Sequence, residues 1–358
     1  MPGRRTLAIA GLAAGVIALQ LAASAAGKAF YLTQLTMAAY ATVVVLGLCL
    51  LMGYAGQASL GQAGFCAIGG YAASFLTTFD LGRHRGGAAV SLLEQLHLLV
   101  TRPDGLGGEI THVHPWAAFV CGVALAALVA AVIAGPVFRL RGHYLAMATL
   151  GFGIIVHRVV LGADFFGGAD GISDVPPLPL FGGLAVTGKS AARVGNYYVA
   201  WGVLVATLWM LLNLIDSRVG RALRAIHGSE NAASAVGVPI ARFKSRTFVL
   251  AAALAAASGV LLAHYTAQVG PSEASVVKSV RYVAIVAAGG MANLAGSLLM
   301  GVVLTFLSLR GVFGTLDDLV FGGILLAIML FAPEGVLGAG WRRLRAVLGR
   351  GRGTGEAP

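Results

Sequence analysis

Two stretches of this 358-residue chain place ligand-binding residue types at a spacing that chemistry uses. Gly183-Leu184-Ala185-Val186-Thr187-Gly188-Lys189-Ser190 matches the pattern G-x-x-x-x-G-K-[ST], in which backbone N–H groups cradle phosphates. That mechanism needs a buried strand before the loop and a helix directly after it. Pro176-Pro177-Leu178-Pro179 is a poor context for such a strand, so the match is read as chance. The second stretch is Asp216-Ser217-Arg218-Val219-Gly220-Arg221-Ala222-Leu223-Arg224-Ala225-Ile226. Ser217 can cap a helix start, and Arg218, Arg221 and Arg224, three apart, then lie along one face. Gly228 interrupts, Ser229 can cap a second short helix through Glu230, Asn231, Ala232 and Ala233, and Gly237 and Pro239 are its stop signals. Ala232, Ala233 and Ala235 are small enough to admit another protein closely. The plainer reading is a basic loop that only fixes orientation.

Other polar groups are sparse. Gln57, Ser59 and Gln62 stand among Gly53, Gly56, Gly61 and Gly64, which permit close helix contact and local unwinding. The three polar residues either line a polar path or bond between helices. His157 and His264 read as packing residues rather than substrate contacts. Ser59 with either histidine is the nearest thing to a nucleophile and base, and no motif supports the pair, so no catalytic site is expected. Cys49, Cys66 and Cys121 each lie in an apolar run, without C-x-x-C or metal-spaced His/Cys clusters. Neither a disulfide framework nor a metal site is indicated, and three buried thiols are expected.

The elements that position these residues follow from composition. Hydrophobic types make up 58% and charged types 11%, and the mean hydropathy is +0.85. A soluble domain is roughly 25% charged, so a soluble enzyme, a nucleic-acid-binding domain and a disordered tail are excluded. Ten apolar runs predict an all-α polytopic membrane protein: roughly 6–26, 30–52, 58–79, 115–138, 144–162, 197–215, 247–268, 276–290, 294–309 and 319–332. The eighth is short and ends in Gly289-Gly290. With the N-terminus inside, inner segments hold fifteen of the 25 Lys/Arg and four of the 14 acids, the positive-inside pattern. The excess of +11 is then mostly a cytoplasmic coat facing anionic lipid. Residues 1–340 read as one membrane domain and 341–358 as a basic cytoplasmic tail. Arg4-Arg5 and Ala23-Ser24-Ala25-Ala26 resemble a cleavable signal peptide; an uncleaved first span is expected. The ten runs contain no acid, which weakens an ion-coupled carrier.

The 216–246 connection resembles the cytoplasmic coupling loop of permeases in ATP-binding-cassette importers of the branched-chain amino acid family. That family shows a Gly-Arg-Ala-Leu-Arg-Ala-Ile run, a Glu-x-x-Ala-Ala step and a Leu-Gly-Ile step before a basic residue. The counterparts are Gly220 to Ile226, Glu230 to Ala233, and Val236-Gly237-Val238 before Arg242 and Lys244. Further similar blocks follow in family order: Gly53 to Phe65, Leu140 to Gly153, Gly167 to Ile172, Gly289 to Ser297, and Phe331 to Gly335. His143 stands where the family commonly has proline, and Ile154 where glutamate is common. The 80–114 connection has no placed counterpart.

The resemblance implies a type II importer-like permease with about ten transmembrane helices in a bacterial inner membrane, both termini cytoplasmic. It implies a second homologous permease, two ATP-binding subunits and a soluble amino-acid receptor as partners. ATP would be bound by those subunits and no cofactor by this chain. The coupling residues so implied are Ser217, Gly220, Arg221, Ala222, Arg224, Glu230, Ala232, Ala233 and Gly237. A permease for urea or short amides, and a stand-alone carrier or channel, are the alternative readings.

Overall fold

The computed structural model describes residues 2–84, 94–95, 98–103, 109–138 and 143–331. Arg139, Arg141, Gly142, residues 332–335 and the basic tail 341–358 lie outside them. Ten apolar helices follow the ten predicted runs one for one: α1 (Pro2–Ala25), α2 (Phe30–Cys49), α3 (Gln62–Thr78), α4 (Pro115–Val137), α5 (His143–Gly162), α6 (Arg193–Asp216), α9 (Ile240–Thr266), α10 (Val276–Gly289), α11 (Leu294–Leu309) and α12 (Asp317–Phe331). Two short helices, α7 (Arg218–Gly228) and α8 (Glu230–Ala235), fill the connection between α6 and α9. The chain is a multi-pass membrane protein: five helical stretches are long and apolar enough to cross a bilayer. At 14 to 17 residues, α3 and α10–α12 are shorter than the ~20 residues a straight crossing takes.

The centre of the bundle is α2 and α9. Of an apolar 18-residue window within Phe30–Tyr54, 89% is buried, against 28% for the corresponding windows of α4 and α5. Small residues allow the close packing. On α4, Ala118, Gly122, Ala126, Ala130 and Ala134 recur every fourth residue and are buried or inward-facing, while Val120, Leu125, Leu128 and Val132 point outward. A Cβ on Gly122 would sit 2.8 Å from the Gly69 carbonyl of α3, and one on Gly69 would sit 2.5 Å from that of Ala256 on α9. A Cβ on Gly259 would overlap the Cys66 carbonyl. Side-chain hydrogen bonds add to this, with the Ser258 hydroxyl donating to the Tyr40 carbonyl at 2.6 Å. α1 is tied to α6 by Tyr197, whose hydroxyl donates to the Val16 carbonyl at 3.0 Å.

Three short antiparallel strand pairs sit among the connections: β1 (Leu99–Pro103) with β2 (Glu109–Val113), β3 (Ile172–Ser173) with β6 (Gln268–Val269), and β4 (Leu178–Pro179) with β5 (Ala185–Val186). The first hairpin lies in the 80–114 connection, where no structure was predicted. The last corrects the phosphate-loop reading in detail but not in outcome. A two-residue strand does precede Gly183, with Leu178 buried, yet it pairs with Ala185–Val186 and so closes back on the motif itself. One cysteine departs from expectation: Cys49 and Cys66 are buried, while Cys121 is exposed on the outward side of α4.

If the small-residue contacts hold the bundle, Gly259→Ala should cost about 1–3 kcal/mol in reversible unfolding from detergent, as for overpacked cores. Gly202→Ala, where nothing lies within 4 Å, should leave stability equal or raised by up to ~1 kcal/mol. A Gly259→Ala variant as stable as Gly202→Ala would show that the close contact at Gly259 does not hold the bundle.

Candidate functional site

The sequence-predicted residues gather at one end of the bundle, where α6 turns into α7. Ser217 closes α6 and opens α7 at once: its hydroxyl donates to the Leu214 carbonyl at 2.6 Å and accepts from the Val219 N–H at 3.1 Å. The chain then doubles back so tightly that a Cβ on Gly220 would overlap the Ile215 carbonyl, so only glycine fits there. The α7 helix is amphipathic, with Gly220, Leu223 and Ile226 buried and Arg218, Arg221 and Arg224 exposed. Ala222 lies between the two faces, partly covered. An Arg221 guanidinium N–H reaches the Asp216 carbonyl at 3.3 Å.

Ser229 caps α8 by accepting from the Ala232 N–H at 3.3 Å. Glu230 receives a 2.5 Å bond from Lys244 in the first turns of α9, fixing α8 against that helix. Gly237, at φ +81°, reverses the chain before Pro239 starts α9. Ala232 and Ala235 are exposed, but Ala233 is buried within this chain. Its small size therefore serves the packing of α8 on its own protein, a correction to its reading as a surface for a partner.

Facing α7 is the break between α2 and α3. α2 ends in one widened turn, Leu50–Tyr54, closed by an i→i+5 bond from the Ala55 N–H to the Leu50 carbonyl at 3.3 Å. Such turns mark functional positions in helices with some frequency. Gly56 follows at φ +66°, and its hydrogen side faces the α7 residue His227, whose Nδ1 would lie 3.0 Å from an added Cβ. Residues 55–61 are not helical, so α3 starts later than the predicted run. The segment is held at its far end by the Leu60 N–H donating to Thr149 Oγ1 at 3.0 Å.

A third element completes this end. α10 and α11 form a hairpin whose turn, Gly290 to Asn293, lies against the widened turn of α2. The Tyr54 hydroxyl donates to the Ala292 carbonyl at 2.8 Å, and a Cβ on Gly53 would overlap the Met291 carbonyl. Asn293 caps α11 by accepting from the Gly296 N–H at 3.1 Å.

Gln57, Ser59 and Gln62 are at most 2% exposed. Both amide atoms of each glutamine and the serine hydroxyl have no hydrogen-bond partner among the described residues. They therefore do not bond between helices, one of the two roles open to them. The Ser59 hydroxyl is bonded to neither histidine. His264 bonds the Pro176 carbonyl at 2.6 Å and His157 the Pro271 carbonyl at 3.0 Å, both in the connections at the far end. The nucleophile–base pairing is thus not assembled. The Gly167–Ile172 block also lies at the far end, where Cβ atoms on Gly167 and Gly171 would overlap the Gly171 and Val269 carbonyls. Sequence reasoning missed the widened turn and the hairpin docked on it. The only available signal was the density of glycine around residues 53 and 290.

Residues 30–329 match the protein family described as branched-chain amino acid transport system, permease component. The chain is 29% identical over 341 residues to the high-affinity branched-chain amino acid transport system permease protein LivM of Salmonella typhimurium, covering 89% of this chain and 72% of that one. To LivM of Escherichia coli K12 it is 30% identical over 318 residues, 82% of this chain and 67% of that one. The permease protein LivH of the same organism is 31% identical over 177 residues, 47% of this chain and 57% of its own. No solved structure matches the chain at a significant level. With nearly the whole helical bundle inside the match, the chain belongs to the permease component family of branched-chain amino acid transport systems.

Proposed function

We propose that this chain forms half of the translocation pathway of an ATP-binding-cassette importer for branched-chain, hydrophobic amino acids. In this reading a second, homologous permease supplies the other half. Two separate ATP-binding subunits drive the cycle, and a soluble receptor outside the membrane delivers the substrate. The chain itself has no catalytic role and needs no cofactor. Its α7 end faces the cytoplasm, in keeping with the arginines of α7 and the basic first turns of α9.

The observation that carries this reading is the seating of α7. Its apolar face is fixed to the bundle, its three arginines are exposed, and His227 in its last turn touches the break in the α2–α3 region. A motor subunit gripping the basic face would displace α7 as a unit, because Gly220 leaves no slack against α6. His227 would then press on Gly56, and the 53–61 segment with the docked 290–293 turn would move with it. Gln57, Ser59 and Gln62, buried without partners, acquire water or substrate when that segment opens. Such groups are costly to bury unpaired, by about 1–3 kcal/mol each, so opening recovers part of that free energy.

Two outcomes are expected in vesicles carrying the complete assembly. Reversing the charge of Arg221 and Arg224 should abolish ATP-driven uptake while ATP hydrolysis continues and the chain inserts normally. Unchanged uptake with intact insertion would refute the role of α7. Gly56→Ala should leave copurification of the motor subunits intact but cut uptake roughly ten-fold or more, since a ~1.4 kcal/mol change in an equilibrium is already a factor of ten and φ +66° strains any side chain. Wild-type uptake by that variant would show that Gly56 takes no part in transmission.

A further inference from the structure

The end of the bundle opposite α7 contains a cavity of about 420 Å³ between α2, α9, α10, α11 and α12. Small-molecule sites of roughly 300–1,000 Å³ are mostly apolar with a few placed polar groups. This cavity has that composition. Met37 of α2, Leu262 of α9 and Ile285 of α10 give it an apolar wall. Facing them are Glu273, Lys278, Arg281 and Asp318. A second cavity of about 250 Å³ shares Met37, Leu262, Ser272 and Glu273 with the first and reaches Asp170 and Gln268 in the connecting loops.

The charged groups fall into two sets. Arg281 donates to Ser308 Oγ at 3.1 Å and lies 2.8 Å from Asp317 and 2.7 Å from Asp318. Its guanidinium also stacks over Phe321, 4.8 Å from the ring centre. Ser308 in turn donates to Asp317 at 2.7 Å. Asp317 and Ser308 thus hold the guanidinium from behind, and a staple joining α10, α11 and α12 explains them. The Asp318 side chain, 64% exposed, is the exchangeable partner on the open side.

The staple does not explain the second set. Lys278 is paired with Glu273, only five residues earlier, so this ion pair brings no distant elements together. Both side chains are about three-quarters buried and face the same cavity. Glu273 lies in the Pro271–Ala274 turn and Lys278 in the first turn of α10, and charges this far buried are costly unless a partner of opposite sign meets them.

We infer that this cavity is a binding station for a zwitterionic amino acid with an aliphatic side chain. The ligand carboxylate accepts from Lys278 Nζ and from the open side of Arg281, and its ammonium group donates to Glu273 and Asp318. The aliphatic side chain lies against Met37, Leu262 and Ile285. Each charge on the protein exchanges one partner for another, so no charge is left unpaired in a poorly solvated place, the costly outcome for buried ions. The shared wall at Ser272 and Glu273 makes the smaller cavity the access route. This inference rests on the transport reading above and adds a recognition site within the permease itself.

The test uses the full assembly in vesicles, without the soluble receptor. Thr305→Cys, on the cavity wall, is introduced with Cys121→Ala and with Cys66→Ala, since Cys66 lines the smaller cavity, so that Cys49, which is buried, is the one native thiol left in this chain. The rate of labelling by a small cationic thiol reagent is then measured. Leucine should slow labelling several-fold, whereas leucinol, which lacks the carboxylate, and 4-methylpentanoate, which lacks the ammonium group, should not. The neutral double variant Glu273→Gln, Lys278→Gln, which leaves no unpaired charge, should lose the protection. The same vesicles supplied with receptor and ATP report leucine uptake separately. Uptake without protection, equal protection by all three compounds, or protection that survives in the double variant would each overturn the station and leave the transport reading standing. Uptake of urea in place of leucine would overturn the transport reading itself.

Discussion

The structure depends on backbone passing backbone at distances that only glycine permits. At the α7 end this happens twice, Gly220 against Ile215 and Gly53 against Met291, and between them Gly56, at φ +66°, lies against the His227 ring. In lipid, non-helical backbone is tolerated only where protein or water covers it. The 55–61 segment is such backbone, and α7 and the 290–293 turn are its cover. Because Gly220 holds α7 at closest approach to α6 and the His227 ring lies against Gly56, a shift of α7 is passed to the segment.

The opposite end is built differently. There side chains reach from helices to loop carbonyls: His264 to Pro176, His157 to Pro271, and the Trp116 indole N–H to Pro179 at 2.6 Å. The Val175 N–H donates to the Ala267 carbonyl at 3.1 Å, and β3 pairs with β6. These bonds hold the connections against the helix ends. The contrast is functional. One end ties its connections to the helices around a charged cavity, while the other retains two buried glutamine amides and a hydroxyl without partners next to the element a motor would grip. A half-satisfied polar cluster is where a low-dielectric interior is most responsive to a change of packing.

Much of this was readable in the sequence. The ten apolar runs gave the helix order, and Ser217, Ser229, Gly228, Gly237 and Pro239 gave the bounds of α7 and α8 within a residue or so. The three-residue spacing of Arg218, Arg221 and Arg224 gave the exposed face. What was not readable has a common physical cause. In a membrane protein the lipid-facing and buried sides of a helix are both apolar, so periodicity does not tell Cys121, which faces outward, from Cys49 and Cys66. An alanine signals small size without saying whose surface it fits, which is why Ala233 proved to be internal. The weakness of the eighth run was noted, but its source, Lys278 and Arg281, carried the information about the cavity. The widened turn after α2 has no local signature, because it is imposed by the hairpin that docks there.

The central claim is that motor action on α7 opens the 55–61 segment. Ser59→Cys, conservative in size and 2% exposed at the native position, reports this directly through its rate of labelling by a membrane-permeant maleimide in the complete assembly. The account predicts that labelling accelerates during ATP turnover and that the acceleration disappears when Arg221 and Arg224 are reversed in charge. A labelling rate that ignores ATP, in an assembly that still transports, would contradict it.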